Sequence, residues 1–137
     1  MAKQPGLGVM IRMLAGNKNS VDAFKGALNK KIASVALEDE ELRMRFTDGT
    51  GVAFFDNGQS CCESRYMRTD DDLPYFVGAT LMDAEMRDSP DEEDEHGECH
   101  EVQFLIVTTS KGSFTMASHN EHNGYYGGFS LEVKEIS

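Results

Sequence analysis

The stretch 41-ELRMRFTDGTGVAFF-55 sets the fold class. Leu42, Met44 and Phe46 alternate with Arg43 and Arg45, a period of two that gathers apolar side chains on one face of a strand. Asp48-Gly49 follows, and Val52 and Phe54 resume the alternation beyond it. Apolar alternation on both sides of an Asp-Gly pair is a strong hairpin signature, because glycine reaches positive φ without steric cost.

Moving outward, the pattern recurs. In 101-EVQFLIVTTSKGSFTMAS-118, Val102, Phe104 and Ile106 alternate, Lys111-Gly112 supplies a turn, and Phe114 and Met116 continue. Phe129, Leu131 and Val133 share one face of a last strand, and Leu81 to Met86 forms another. Ahead of the first hairpin the period is helical. In 19-NSVDAFKGALNKK-31, Ser20 can cap, Asp22 suits the first turn, and Val21, Phe24 and Leu28 fall near one face, while Gly26 weakens the helix. In 69-TDDDLPYFVG-78 the aspartates Asp70, Asp71 and Asp72 read as the cap of a short helix with Pro74 at its first position, and Gly78 ends it. These elements predict an α+β fold that is mostly antiparallel β. It is a single sheet-rich domain of five to seven strands, a sandwich or partly open barrel, with one N-terminal helix and one short helix. Residues 1–19 read as a weakly ordered lead-in and 20–137 as the domain, with no internal repeat.

The chain has 137 residues, enough for one core without metal or disulfide staples. Apolar residues are 39%, well above the composition of a disordered chain. The net charge of −11 argues against direct nucleic-acid binding and against an anionic membrane surface, since both need clustered Lys and Arg. It permits a basic protein partner. Much of the acidic excess sits between Asp88 and Glu98. Three cysteines, two of them adjacent, do not form a secreted disulfide framework. No signal peptide and no run long enough to cross a bilayer is present, which predicts an intracellular setting.

Three kinds of chemistry can be weighed from the residues. His96, Cys99 and His100 lie close together, but there is no Cys-x-x-Cys pair, and Cys61 and Cys62 on a strand would point to opposite faces. No metal centre and no cofactor is predicted. A cysteine nucleophile needs a base in reach, and only His119 and His122 lie outside the acidic segment 87–100. Neither a dinucleotide-binding glycine motif nor a phosphate loop occurs, so no catalytic residues are assigned. The remaining candidates are ligand contacts. Arg65 and Arg68 can meet phosphate charge, Asn123 can hydrogen-bond, and Tyr125 and Tyr126 can stack on a flat ligand.

Read in order, "LNKKIASV", "FTDGTGVAFF", "CCES", "DDL", "VGATLMDAE" and "FLIVTTSKGSFTMASHNEHNGYYGGFSLEV" resemble a family of small uncharacterised phage and prophage proteins. The family pattern has a Cys-Cys-Glu segment and an Asn-Gly-Tyr-Tyr turn before the last strand, and the match runs from about Leu28 to Val133. Two departures stand out: the strand around Met116 is less aromatic and basic than the pattern, and the insert with His96, Cys99 and His100 lies outside it. The resemblance implies a phage context and a β-rich fold, and no mechanism. Together with the residues it gives a functional expectation: a non-catalytic, homo-oligomeric binding protein in the host cytoplasm that counteracts host defence by sequestering a small nucleotide-like ligand. The alternative is an acidic protein–protein inhibitor or nucleic-acid mimic that meets a host defence protein. A plain virion accessory protein and a metal-dependent or thiol enzyme rank below these two.

Overall fold

The structure is a computed structural model that describes residues 18–56, 64–88, 92–93, 99–122, 129 and 131–136, without the side chains of Ser64, Asp88, Glu92, Glu93, Cys99 and His122. In chain order it has helix α1 (Lys18–Ala27), β1 (Ile32–Glu38), β2 (Glu41–Phe46), β3 (Gly51–Asp56) and β4 (Ser64–Arg68). A 3₁₀ turn (Leu73–Phe76) follows, then β5 (Leu81–Asp88), β6 (Glu92–Glu93), β7 (Cys99–Thr109), β8 (Gly112–His122) and β9 (Leu131–Ile136). Every strand pairing is antiparallel. The first sheet has the order β1-β2-β3-β9 and the second β4-β8-β7-β5, with β6 also on β7. This is the sheet-rich α+β fold expected from the alternation.

One core lies between the sheets. Leu42, Met44 and Phe46 of β2 and Val52 and Phe54 of β3 are buried, as their period requires. They share one apolar cluster with Leu105 and Val107 of β7 and with Phe114 and Met116 of β8. Helix α1 lies on β9 and closes one side, with Phe24 fully buried edge-on to Phe54. Burying a side chain of that size contributes about 1.5–3 kcal/mol. At one corner the chain ties the sheets through its backbone. Ile32 N–H donates to Ala79 O, Gly78 N–H to Ile32 O and Leu81 N–H to Lys30 O, at 2.8–2.9 Å. Gly78 has φ +92°, so the turn there needs glycine. Among the described residues no helix is long and apolar enough to cross a membrane.

Three local expectations need correction. Ser20 does not cap α1. Lys18 and Asn19 are already helical, and Ser20 is buried inside the helix, its Oγ accepting a hydrogen bond from Val133 N–H at 3.0 Å. A hydroxyl facing an edge strand finds an unpaired donor there, and this tertiary bond displaces the capping role. The triple aspartate does not cap the 3₁₀ turn either. Asp72 holds the N-cap position without a side-chain cap bond, and Pro74 is the second residue of the turn. Asp71 instead reaches back to β8, where its Oδ2 accepts from Thr115 N–H at 2.7 Å. In the second hairpin the loop is Ser110-Lys111, since Thr109 pairs with Gly112.

Another hairpin gives no glycine signal at all. Asp39 and Glu40 join β1 to β2 in the left-handed region, with φ of 51° and 62°. That is the turn twist an antiparallel pair favours, but glutamate is a poor occupant. The Glu40 carboxylate accepts from Met67 N–H at 2.6 Å and from Arg68 Nη1 at 2.8 and 2.9 Å. A β1–β2 turn is thereby fastened to β4 of the other sheet, and an amide on the open edge of β4 is occupied. Burial pushes the Glu40 carboxyl upward, but the Met67 amide and the Arg68 guanidinium outweigh it and hold its pKa below the ordinary value.

Candidate ligand-binding face

Strand β7 is apolar on both faces, as the unbroken run Phe104-Leu105-Ile106-Val107 dictates. Gln103, Leu105, Val107 and Thr109 point into the core and are buried. Val102, Phe104 and Ile106 are half-buried on the outer face of the second sheet. Beside them on β8 stand His119, Ala117 and Thr115, the cross-strand partners of these three residues. On β4, Tyr66 pairs with His119 and Arg68 with Ala117.

These side chains border a groove of about 390 Å³ lined by Arg68, Asp70, Asp71, Phe104, Thr115 and His119, among others. Its far end is built by side chains that continue the ladder where β4 stops. Thr69 Oγ1 donates to Thr115 O at 2.8 Å, Asp71 accepts from the amide of the same residue, and Asp71 N–H donates to Thr69 Oγ1 at 3.1 Å. At the other end Tyr66 lies flat on His119, with ring centroids 4.7 Å apart and planes 8° apart. The Tyr66 hydroxyl donates to Glu121 Oε2 at 2.7 Å, and the Arg68 guanidinium lies 4.9 Å from the Tyr66 ring centroid. His119 Nδ1 and His100 Nε2 are hydrogen-bonded at 2.8 Å.

The electrostatics follow from this packing. The Glu121 carboxylate, accepting the phenol proton, raises the Tyr66 pKa; burial adds to this, and Arg68 opposes it. Burial lowers the His119 pKa first, His100 and Arg68 lower it further, and Glu121 works against them. Arg68 spends Nη1 on Glu40 and on Met67 O, and its remaining guanidinium N–H groups meet no acceptor among the described residues. Its side chain is 58% exposed. A cation above a groove floored by an aromatic ring can bind a flat anionic molecule by stacking and charge together.

Arg65 sits elsewhere. Alternation along β4 turns it inward, opposite Asn120, where its Nη1 pairs with Asp56 Oδ2 at 2.8 Å. The two side chains are 9% and 10% exposed. Arg65 and Arg68 therefore lie on opposite faces of one strand. Asn123, Tyr125 and Tyr126 lie outside the described residues, as do His96, Cys61 and Cys62. His100 belongs to the outer face, paired with His119. Among the described residues no group of three or more His, Cys, Asp or Glu is placed to hold a metal ion. Sequence reasoning did not bring together Tyr66, Phe104, His119 and Glu121. Only the pairing of β8 with both β4 and β7 does, and its β4–β8 half joins residues about fifty positions apart.

The fold and this face define a two-sheet α+β protein with one open, partly apolar sheet surface. The chain belongs to the family described as a domain of unknown function, DUF7448, whose model matches residues 25–131. No curated protein matches, and no solved structure matches.

Proposed function

We propose that this protein is a non-catalytic binding protein of a phage or prophage, acting in the host cytoplasm, and that it holds a small nucleotide-like ligand in the groove beside Arg68 and Phe104. The observation that carries this reading is the pairing of an exposed guanidinium with a half-buried aromatic ring across a groove of about 390 Å³. A base would stack on Phe104 and a phosphate would meet Arg68, with His119, backed by the Tyr66 ring, as the side wall. Sequestration of an immune signal, with two copies of the chain enclosing it, is the role that suits a phage context. Calorimetric titration with cyclic dinucleotides and cyclic ADP-ribose isomers tests it. Binding should weaken roughly 5- to 150-fold in Phe104→Ala, the range for loss of one stacked base. Absence of heat with every one of these compounds overturns the reading.

A second reading has its own observation. The net charge is −11, and Asp70, Asp71 and Glu121 are exposed around the same face. An acidic inhibitor of a basic host protein would use that charge, and its binding would weaken steeply with added salt. Deleting residues 88–98 without any change in binding would argue against the acidic loop as the contact.

A further inference from the structure

The two histidines at the groove present a proton-counting problem. A neutral imidazole has one donor nitrogen and one acceptor nitrogen, and an imidazolium has two donors. The 2.8 Å contact between His100 Nε2 and His119 Nδ1 therefore needs a lone pair on one of the two atoms. It survives with no proton or one proton added to the pair. With both rings charged, two N–H groups would face each other, and two like charges would sit with ring centroids 5.1 Å apart. That contact has to break.

What breaks with it is set by packing. His119 is also the ring on which Tyr66 lies, and it lines the groove. Other groups around the pair take opposite sides. From β4, the Arg68 guanidinium, itself bonded to Glu40 of the β1–β2 turn, disfavours a charged His119. From β8, Glu121 favours the charged form, but it is engaged by the Tyr66 hydroxyl. Glu92 of β6 pairs with His100 in the ladder. Asp70 and Asp71 line the groove toward its far end, and Asp71 is committed to the Thr115 amide. Burial of the His119 ring is the largest of these costs to charging it.

We propose that His100 and His119 act as a proton-sharing pair that holds His119, and the Tyr66 ring stacked on it, in place beside the groove while at least one ring is neutral and releases them when both are charged. The consequence, a groove whose shape and affinity change on mild acidification, rests on the ligand-binding reading above. The pair itself does not. Coupled groups titrate in steps that belong to the pair, and strong coupling separates those steps by more than about one pH unit.

The test uses the full chain without ligand. Ring-nitrogen NMR of the histidines from pH 8 downward reads each protonation, and selectively labelled tyrosine reads Tyr66. Two separated steps are expected, with the Tyr66 ring signals still during the first and shifted in the second. In His100→Gln, His119 should take its proton at higher pH than in the second step of the parent protein. Protonation of both rings in a single step, a Tyr66 that stays fixed through the second step, or an unchanged His119 titration in His100→Gln would each overturn the proposal. The parent titration stands alone if the variant fails to fold. A pair that behaves as expected in a protein that binds none of the nucleotides would remove the ligand reading and leave the switch.

Discussion

Removing Arg65 should unfasten the two sheets at the end where side chains, rather than backbone, join them. Asp56 is on β3 of the first sheet and Arg65 on β4 of the second, and the pair is about nine-tenths buried on both sides. Taking one partner out of a buried ion pair costs about 3–5 kcal/mol, because the other charge loses its compensation in a poorly solvated place. Both residues make further interactions, so the lower end of that range is expected for Arg65→Ala. In a domain of this size that is a fall of roughly 10 °C in Tm. Replacing both together, Asp56→Leu with Arg65→Met, removes the charges and keeps apolar volume, and should return stability to within about 1 kcal/mol of the parent. Urea denaturation of the parent, Asp56→Leu, Arg65→Met and the double variant closes the cycle, and the double variant should lose much less than the sum of the two single losses. A loss below about 1 kcal/mol in Arg65→Ala, or a double variant as weak as the single ones, would refute the reasoning and free Arg65 for a role other than structure.

Other outcomes are equally open to measurement. Glu40→Gly and Glu40→Ala both delete the clamp on Met67 N–H, but only glycine relieves φ of 62°, so urea midpoints should show the glycine variant more stable by about 1 kcal/mol. Gly26→Ala should stabilise by about 0.5–1 kcal/mol in the same assay, since a Cβ there meets nothing within 4 Å and the helix gains a better former. Gly51→Ala should cost about 1–3 kcal/mol, because its Cβ would stand 2.8 Å from Met44 O and 2.9 Å from Ile136 Cγ1. Thermal melts against pH should fall in two stages. His119 has a lowered pKa in the fold, so its contribution is complete above its ordinary value of 6.5 and declines as pH drops below that. Glu40 and Glu41 are lowered from 4.5, and Asp48 is lowered from 3.8 to about 2, chiefly by hydrogen bonds from Thr50, so their contributions decline below those ordinary values. Stability that rises on acidification from pH 6.5 would contradict the first stage.

Residues differ in how much of this could be read from them alone. The β2–β3 hairpin is legible because Asp48-Gly49 and the flanking alternation are local causes, and Gly49 has φ +90° as such a turn needs. The β1–β2 turn is not, because Asp39-Glu40 owes its place to the Glu40 contact with β4, a tertiary bond across 27 positions. The aspartates at 70–72 obey the chemistry of a cap on paper, but Asp71 has a donor within reach on β8, and a strand amide needing a partner wins over a short 3₁₀ turn. On β7 the alternation Val102, Phe104 and Ile106 marks the outer face and not the core face; packing against Phe114 and Met116 buries Leu105 and Val107 and leaves Phe104 to the groove. The candidate site is therefore legible only in part. Arg68 was visible as a cation, whereas its neighbours Phe104 and His119 become neighbours only once β4, β7 and β8 are in register.

The bond from Val133 N–H to the Ser20 hydroxyl spans 113 positions and ties the first helix to the last strand. On a ribosome adding about 5–20 residues per second, helix α1 would wait roughly 6–20 s for the strand that covers it. Until then helix α1 and the exposed flank of β3 lack the strand they pack on, while the β7–β8 hairpin can form from neighbours only. Assembly is thus ordered by synthesis. The second sheet can close around its long hairpin first, and the first sheet is completed last, so a ribosome stalled ahead of β9 would hold a chain with half a core and an open edge for chaperones to cover.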